Sequence, residues 1–354
     1  MGKKPGMTLE MARNILIIRI DRIGDLVLTT PVINELKQIC SEGKLTALLS
    51  PVNAELISGT GLVDDILVWD DKVSEEKKKV FFKDLRDRQF DAVLAFSPLT
   101  TAYRLAMATG APLRAGIVYS NRILTKIATR FMLTHRFIID QEKRLAHDHP
   151  ALHEVEKCAG LLAVLGIPEI EGHLNIPLPE DVINQSRELV DRWTIEGQKG
   201  IIGMPLCRRY IDVGWSTKEF KELVEDLREN FPEYLLLITY GNEENVEGET
   251  LKESLRDQYG VVVIGDLPLQ LWAALMKSLS LLISIDSAAV HLAASGGAPC
   301  IVLYPEEIYK LCKDEWAPWG VNHRQLVIRN FQRTSDTIII SAAVLLGKRK
   351  EEDE

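Results

Sequence analysis

Two short turns gather the residue types that hold charged or hydroxylated ligands. The first reads Arg19-Ile20-Asp21-Arg22-Ile23-Gly24-Asp25 and continues as Leu26-Val27-Leu28-Thr29-Thr30-Pro31. The second reads Ser284-Ile285-Asp286-Ser287-Ala288-Ala289-Val290-His291-Leu292-Ala293-Ala294. Arg19 and Arg22 suit an acidic ligand or a phosphate, through charge-assisted hydrogen bonds. Arg19 is equally placed to pair with Asp21 or Asp25. Gly24 lets a ligand approach the backbone, or serves as an ordinary turn glycine. Asp25 follows that glycine, a position where a carboxylate can cap a helix and accept its free N–H groups. Asp286 has the same choice between ligand and cap. Ser287 and the amides after it could meet a diphosphate at a helix N-terminus. His291, one turn further on, could reach a phosphate or be a satisfied, half-buried histidine.

The elements that position these turns are legible from residue pattern. The apolar, β-branched run from Asn14 to Ile20 reads as a strand buried on both faces. Thr30 is a natural helix cap and Pro31 a natural first helical residue, so the spacing predicts a helix over 32–39. A strand, a polar glycine turn and a helix form half of an α/β unit, and ligands in such sheets bind beyond the carboxyl ends of the strands. Strands are expected at 45–49, 66–69, 92–96 and 114–119, with helices over 74–88, 101–109 and 153–165. Proline and polar residues over 168–179 mark a linker, and 180–193 is helical. The alternation then restarts, with strands at 200–203, 234–239, 261–264, 281–285 and 300–304. Ser216 and Glu219 form a capping box for a helix reaching residue 230. Helices also follow at 269–277, after Asp286, and near the C-terminus. Such alternation predicts α/β domains with parallel sheets covered by helices. The expected division is 1–170, a linker at 171–180, 181–335, a C-terminal helix over 336–347 that packs back on the first domain, and a disordered tail over 348–354.

Bulk properties narrow the function. At 354 residues the chain is long enough for two domains, and 46% apolar with 26% charged residues is a globular composition. A net charge of −9 argues against a nucleic-acid binder. The five cysteines are odd in number and not closely paired, which fits buried thiols in a reducing compartment. No apolar run approaches the ~18 residues of a membrane span. The stretch from Met1 to Met11 lacks the apolar core of a signal peptide. A cytoplasmic protein is expected.

Taken together, the two turns resemble those of the glycosyltransferase family 9 heptosyltransferases, which build the inner core of lipopolysaccharide. The first resembles the family's R-x-D-R-x-G-D-x-x-x-T-x-P turn, and the second its D-[ST]-G-x-x-H-L-A motif. His153-Glu154-Val155-Glu156 and Gly166-Ile167-Pro168 look like the segment before the family's linker. Trp215 to Leu223 resembles its K-x-W-P-x-x-x-F-x-x-L helix start, and Gly265-Asp266 with Leu269 to Leu275 its G-x-x-x-L-x-E-L-A-A-L-I segment.

The resemblance implies a GT-B fold, with an acceptor domain followed by a nucleotide-sugar domain. It implies inverting transfer of a sugar, heptose from ADP-heptose, onto a lipopolysaccharide core acceptor. No cofactor and no protein-held metal are implied, and a lipid-linked acceptor implies peripheral contact with the inner membrane. Asp25 becomes the catalytic base, with Arg19, Arg22 and Gly24 on the acceptor. Asp286, Ser287, Ala288 and His291 fall on the donor. Departures lie on the donor side. Ala288 replaces the family's glycine. Tyr304-Pro305-Glu306-Glu307 replaces a G-P-T turn that approaches the diphosphate, unless its glutamates simply cap the next helix. Val213 replaces a phosphate-contacting lysine, for which Arg208 and Arg209 are candidate substitutes. Two alternatives follow, a GT-B transferase using another nucleotide-sugar and a non-catalytic binding relative. His147, Asp148, His149 and His153 have metal-ligand spacing, with a plain acceptor-side loop as the simpler reading. Lys77-Lys78-Lys79 reads as a solvated helix face.

Overall fold

The apolar run near the N-terminus forms β1 (Asn14–Arg19), buried at every position after Asn14. A strand covered on both faces needs that continuous run. In the computed structural model, which describes residues 8–146, 149–168, 170, 172–329 and 331–348, β1 sits mid-sheet. Its neighbours are β2 (Lys44–Leu49), β3 (Asp65–Val68), β4 (Ala92–Ala95), β5 (Leu113–Tyr119) and β6 (His135–Ile139), in the parallel order β3-β2-β1-β4-β5-β6. Arg19 lies opposite Leu49 on one side, and Ile18 opposite Ala95 on the other.

The second sheet is wound the same way. It comprises β7 (Gly200–Pro205), β8 (Tyr234–Thr239), β9 (Val261–Ile264), β10 (Leu281–Ile285), β11 (Cys300–Tyr304) and β12 (His323–Val327), all parallel, in the order β12-β11-β10-β7-β8-β9. In each sheet the first strand is central, the next two extend to one side and the last three to the other. That order is the one that binds nucleotides where its direction reverses, here at β1/β4 and β7/β10. The chain divides into two compact units at Pro177/Leu178.

Two expectations need correction. Thr30 and Pro31 do not begin a helix. The helix is Ile23–Ile39, Arg22 takes the N-cap position, and Pro31 lies inside it. A proline there removes an amide and leaves the carbonyl four residues back without its bond. That carbonyl belongs to Val27, and the Thr30 hydroxyl donates to it at 2.7 Å. Thr30 Oγ1 also accepts from the Asn175 amide at 3.0 Å, which ties the stretch before the unit boundary to this helix. The C-terminal helix, expected over 336–347 and packed on the first domain, is Phe331–Leu345 and belongs to the second unit. Ile338, Ala342 and Ala343 sit in the core with Phe220, Leu223 and Ile283. The ring of Phe331 meets Trp215 edge-on at 5.3 Å.

Elements absent from the sequence expectations include the helices Pro51–Ile57, Ile123–Met132 and Asn245–Leu255, and the edge strands β6 and β12. The capping box at the start of helix Thr217–Asn230 is present. Ser216 Oγ accepts from the Glu219 amide at 3.3 Å, and the Ser216 amide donates to Glu219 Oε2 at 2.8 Å. Residues 349–354 of the expected tail lie outside the described residues.

Candidate functional site

The first turn leaves the carboxyl end of β1 beside the point where the sheet order reverses. Asp25 lies in the first turn of helix Ile23–Ile39, three residues after the N-cap position, so it is not the cap. The helix N-terminus favours a negative charge there. Gly24 is buried in the same turn, and Arg22 at the cap position is exposed. Thr29 Oγ1 donates to the Asp25 carbonyl at 2.7 Å and leaves the carboxylate to other partners.

Behind this turn stands Arg19. It was a candidate for holding the acceptor, but its side chain is wholly buried and touches protein on every side. Nη1 donates to the Phe96 carbonyl at 2.8 Å, and Nη2 to Glu154 Oε1 at 2.6 Å. Nη2 also lies 3.7 Å from Asp25 Oδ1, and Nε 3.3 Å from Asp21 Oδ1. The ion-pair reading of Arg19 is therefore the one realised. Asp21 and Asp25 keep 17% and 14% of their side-chain surface, so they, and not Arg19, can meet a ligand.

Glu154 carries the network onward. Its Oε2 lies 3.1 Å from Lys157 Nζ, which donates to Tyr119 Oη at 3.0 Å at the end of β5. Burial pushes the Glu154 carboxyl up, but Arg19 and Lys157 outweigh it and hold the group below its ordinary range. Burial lowers the Lys157 ammonium, against the pull of Glu154. Burial likewise raises Asp21, which Arg19 only partly opposes. For Arg19, burial is outweighed by Asp21, Glu154 and Asp25, and its proton is held more tightly still. The result is a rigid, charged wall with two partly open carboxylates at its rim.

The helix that supplies Glu154 is fixed by its own cap. His153 Nδ1 accepts from the Val155 amide at 3.2 Å, and the His153 amide donates to Glu156 Oε2 at 2.8 Å. His153 is thus a capping residue. His147 and Asp148 of the suggested metal cluster lie outside the described residues, and among the described residues no metal-ligating group of three comes together.

The second turn leaves the carboxyl end of β10, again at the reversal of strand order. Asp286 Oδ2 lies 2.7 Å from Arg209 Nη1, which also donates to the Asp286 carbonyl. Arg209 is supplied by the short helix Arg208–Asp212 after β7. Tyr210, in that same helix, accepts from the Ile285 amide at 3.1 Å, lies tilted against Trp215 and meets Phe220 edge-on. The loop after β7 is thereby fastened to the strand that carries Asp286. Ser287 occupies the N-cap position of helix Ala288–Ser295, and its hydroxyl pairs with Ser284 Oγ at 3.0 Å. His291 is buried in that helix.

Arg208 and Arg209, expected together on the donor, part ways. Arg208 faces Asp212 and Glu247 at 3.4 and 4.0 Å and is largely exposed. Pro305 takes the N-cap position of helix Glu306–Glu315, with Glu306 and Glu307 exposed in its first turn. The residues missed in sequence reading are Glu154 and Lys157. The only signal for them was the His153-Glu154-Val155-Glu156 segment, which showed a helix start and not a partner for Arg19.

Two Rossmann-like sheets, each with an aspartate at its carboxyl edge, are the architecture of the GT-B fold. Residues 79–338, which include Asp286, match the family model for glycosyltransferase family 9 (heptosyltransferase). The chain belongs to this family. It is 22% identical over 315 residues to lipopolysaccharide heptosyltransferase 3 of Escherichia coli (strain K12), covering 88% of this chain and 86% of that one. Among solved structures it is similar to a family 9 glycosyl transferase from Veillonella parvula, with a TM-score of 0.77, 18% identity, and 97% and 99% of the two chains covered. It is also similar to an E. coli heptosyltransferase solved with ADP, with a TM-score of 0.69, 17% identity, and 92% and 99% covered.

Proposed function

We propose that this glycosyltransferase moves a heptose from ADP-heptose to a lipopolysaccharide core acceptor, with inversion, and that Asp25 is its base. The observation that carries the reading is the setting of Asp25, a partly open carboxylate at a helix N-terminus, with the buried Arg19 guanidinium 3.7 Å behind it. An inverting transfer forms one bond, from the acceptor hydroxyl oxygen to the anomeric carbon. It breaks another, from that carbon to the diphosphate oxygen, and the bonding pair leaves with ADP. The acceptor proton must go to a nearby base as attack proceeds, and a carboxylate kept ionised and in place by Arg19 and the helix N-terminus is available to take it. Arg22, exposed at the same turn, is available to an anionic acceptor.

On the donor side, Asp286 would accept hydrogen bonds from sugar hydroxyls while Arg209 fixes its orientation. Ser287 and the amides opening helix Ala288–Ser295 would receive the diphosphate, where the helix dipole stabilises the charge that builds on the leaving group. The lipopolysaccharide relative and the E. coli enzyme solved with ADP support this choice of donor and acceptor. Release of ADP and a heptose-sized mass increase on a core acceptor, dependent on ADP-heptose, tests it. Turnover of other nucleotide-sugars with none of ADP-heptose would contradict it.

The helix after β11 favours one other reading. Two carboxylates, Glu306 and Glu307, stand in its first turn and would repel a diphosphate placed there. A different nucleotide-sugar, bound away from this helix, would fit them. Thermal stabilisation by UDP- or GDP-sugars, and not by ADP-sugars, would select that alternative.

A further inference from the structure

Helix Ile123–Met132 is inside out. Its fully buried position is Thr129, a polar residue. Four of its large apolar side chains face solvent, with Ile123 68%, Leu124 84%, Ile127 52% and Phe131 80% exposed. These residues recur at helical spacing and form one stripe. A stripe of this kind on a surface helix normally faces the core. Here Thr129 is buried and Met132 packs on the core of the first unit, while the stripe stays exposed.

The charge around the stripe is equally uneven. The chain carries −9 overall, yet no aspartate or glutamate occurs between Tyr119 and Asp140, while Arg122, Lys126, Arg130 and Arg136 all fall there. Arg122 and Arg130 are exposed, and the adjoining helix Thr100–Ala108 adds exposed Arg104 and Met107. An apolar face flanked by cations, on a helix too short to span a bilayer, is the pattern of a helix lying in a membrane interface. Anionic lipid attracts the cations, and the apolar side chains enter between the headgroups.

We propose that helix Ile123–Met132 docks this protein on an anionic lipid bilayer, with Ile123, Leu124, Ile127 and Phe131 inserted and Arg122, Lys126 and Arg130 on lipid phosphates. The helix follows β5, whose last residue, Tyr119, is bonded to Lys157 in the network behind Asp25. Docking here holds the carboxyl edge of the first sheet near the bilayer, where a lipid-linked acceptor would be presented. Only that last consequence rests on the proposed function. The docking itself involves no sugar.

The test is sedimentation of the full chain with phosphatidylethanolamine–phosphatidylglycerol vesicles, against vesicles of phosphatidylcholine alone, with no donor or acceptor present. The protein binds the anionic vesicles, and added salt weakens binding. Leu124→Ser/Phe131→Ser binds at least about tenfold more weakly. Lys126→Gln/Arg130→Gln weakens binding by about fivefold per charge and leaves the stripe intact. Leu124, Arg130 and Phe131 are exposed and Lys126 is half-buried, so matching melting curves check that the variants fold. Absence of wild-type binding, or unchanged binding by both variants, overturns the proposal. So does a wild-type dimer that the Leu124→Ser/Phe131→Ser change splits without any vesicle binding, since the stripe is then a subunit interface. Vesicle binding without heptose transfer would sink the functional reading alone. Transfer to a lipid-free acceptor without vesicle binding would sink this one alone.

Discussion

Arg19 Nη2 and Glu154 Oε1 lie 2.6 Å apart, joining the last residue of β1 to the first residue of a helix 135 positions later. Both are buried, and Glu154 bridges on to the buried Lys157. Two cations therefore share one carboxylate, and Arg19 also meets Asp21 and Asp25. Removing a single partner from such a group leaves uncompensated charge in a low-dielectric interior, at a cost of about 3–5 kcal/mol. Glu154→Gln is expected to lower unfolding free energy in urea by that amount. A loss under about 1 kcal/mol, the range of an exposed pair, would contradict the buried triad.

The same carboxyl makes stability depend on pH. Its folded-state pKa lies below the ordinary value of 4.5. Between the two values the unfolded chain binds the proton and the folded chain does not, so stability rises with pH through that window. Equivalently, the contribution of Glu154 is complete above pH 4.5 and is lost as pH falls through its folded pKa. The stability gap between the native chain and Glu154→Gln should narrow on acidification below that point. A gap that widens with acid would mean that Glu154 is protonated in the native fold.

Thr30 gives an independent test of the first helix. Its hydroxyl donates to the carbonyl that Pro31 leaves open and accepts from the Asn175 amide. Thr30→Val keeps shape but strands both groups, and should cost about 1–3 kcal/mol. Thr30→Ser keeps the hydroxyl and should recover most of that loss. Equal losses in both variants would assign the effect to the methyl group and not to the hydrogen bonds.

On the second unit, Arg209 is 41% exposed, so its pair with Asp286 adds little to folding, under about 1 kcal/mol. Its expected effect is on ligand. Arg209→Ala should leave the melting temperature nearly unchanged and raise the nucleotide-sugar Kd at least about tenfold, equivalent to about 1.4 kcal/mol. Calorimetric titration reads this directly. An unchanged Kd would remove Arg209, and its hold on Asp286, from the donor site.

The sheets and the two turns were legible because both rest on local signals. Buried parallel strands read as continuous apolar runs, and a helix start such as Ser216 with Glu219 needs only four residues. The start of the first helix was not legible, because Pro31 resembles a first helical residue and its compensation by Thr30 is a contact with no local sequence pattern. β6 and β12 are edge strands carrying His135, Arg136, His323 and Arg324, so their patterns look polar. Helix Ile123–Met132 lacks the usual inward stripe and gave no helix signal. The motifs did mark Asp25 and Asp286, but what surrounds each is long-range. Glu154 comes to Arg19 from the far end of the first unit, and Arg209 comes to Asp286 from the loop after β7. No spacing rule reaches so far along the chain, which is why Arg19 was expected on the acceptor when it is a buried support for Asp25.

The central claim is that Asp25 takes the acceptor proton, and replacing its carboxylate by an isosteric amide tests it most directly. Asp25→Asn, assayed for ADP release from ADP-heptose with a core acceptor, should lose a factor of at least about 10²–10⁴ in kcat. Its melting curve and its affinity for the nucleotide-sugar should stay close to those of the native chain. Retention of most turnover by a folded Asp25→Asn protein would contradict the account.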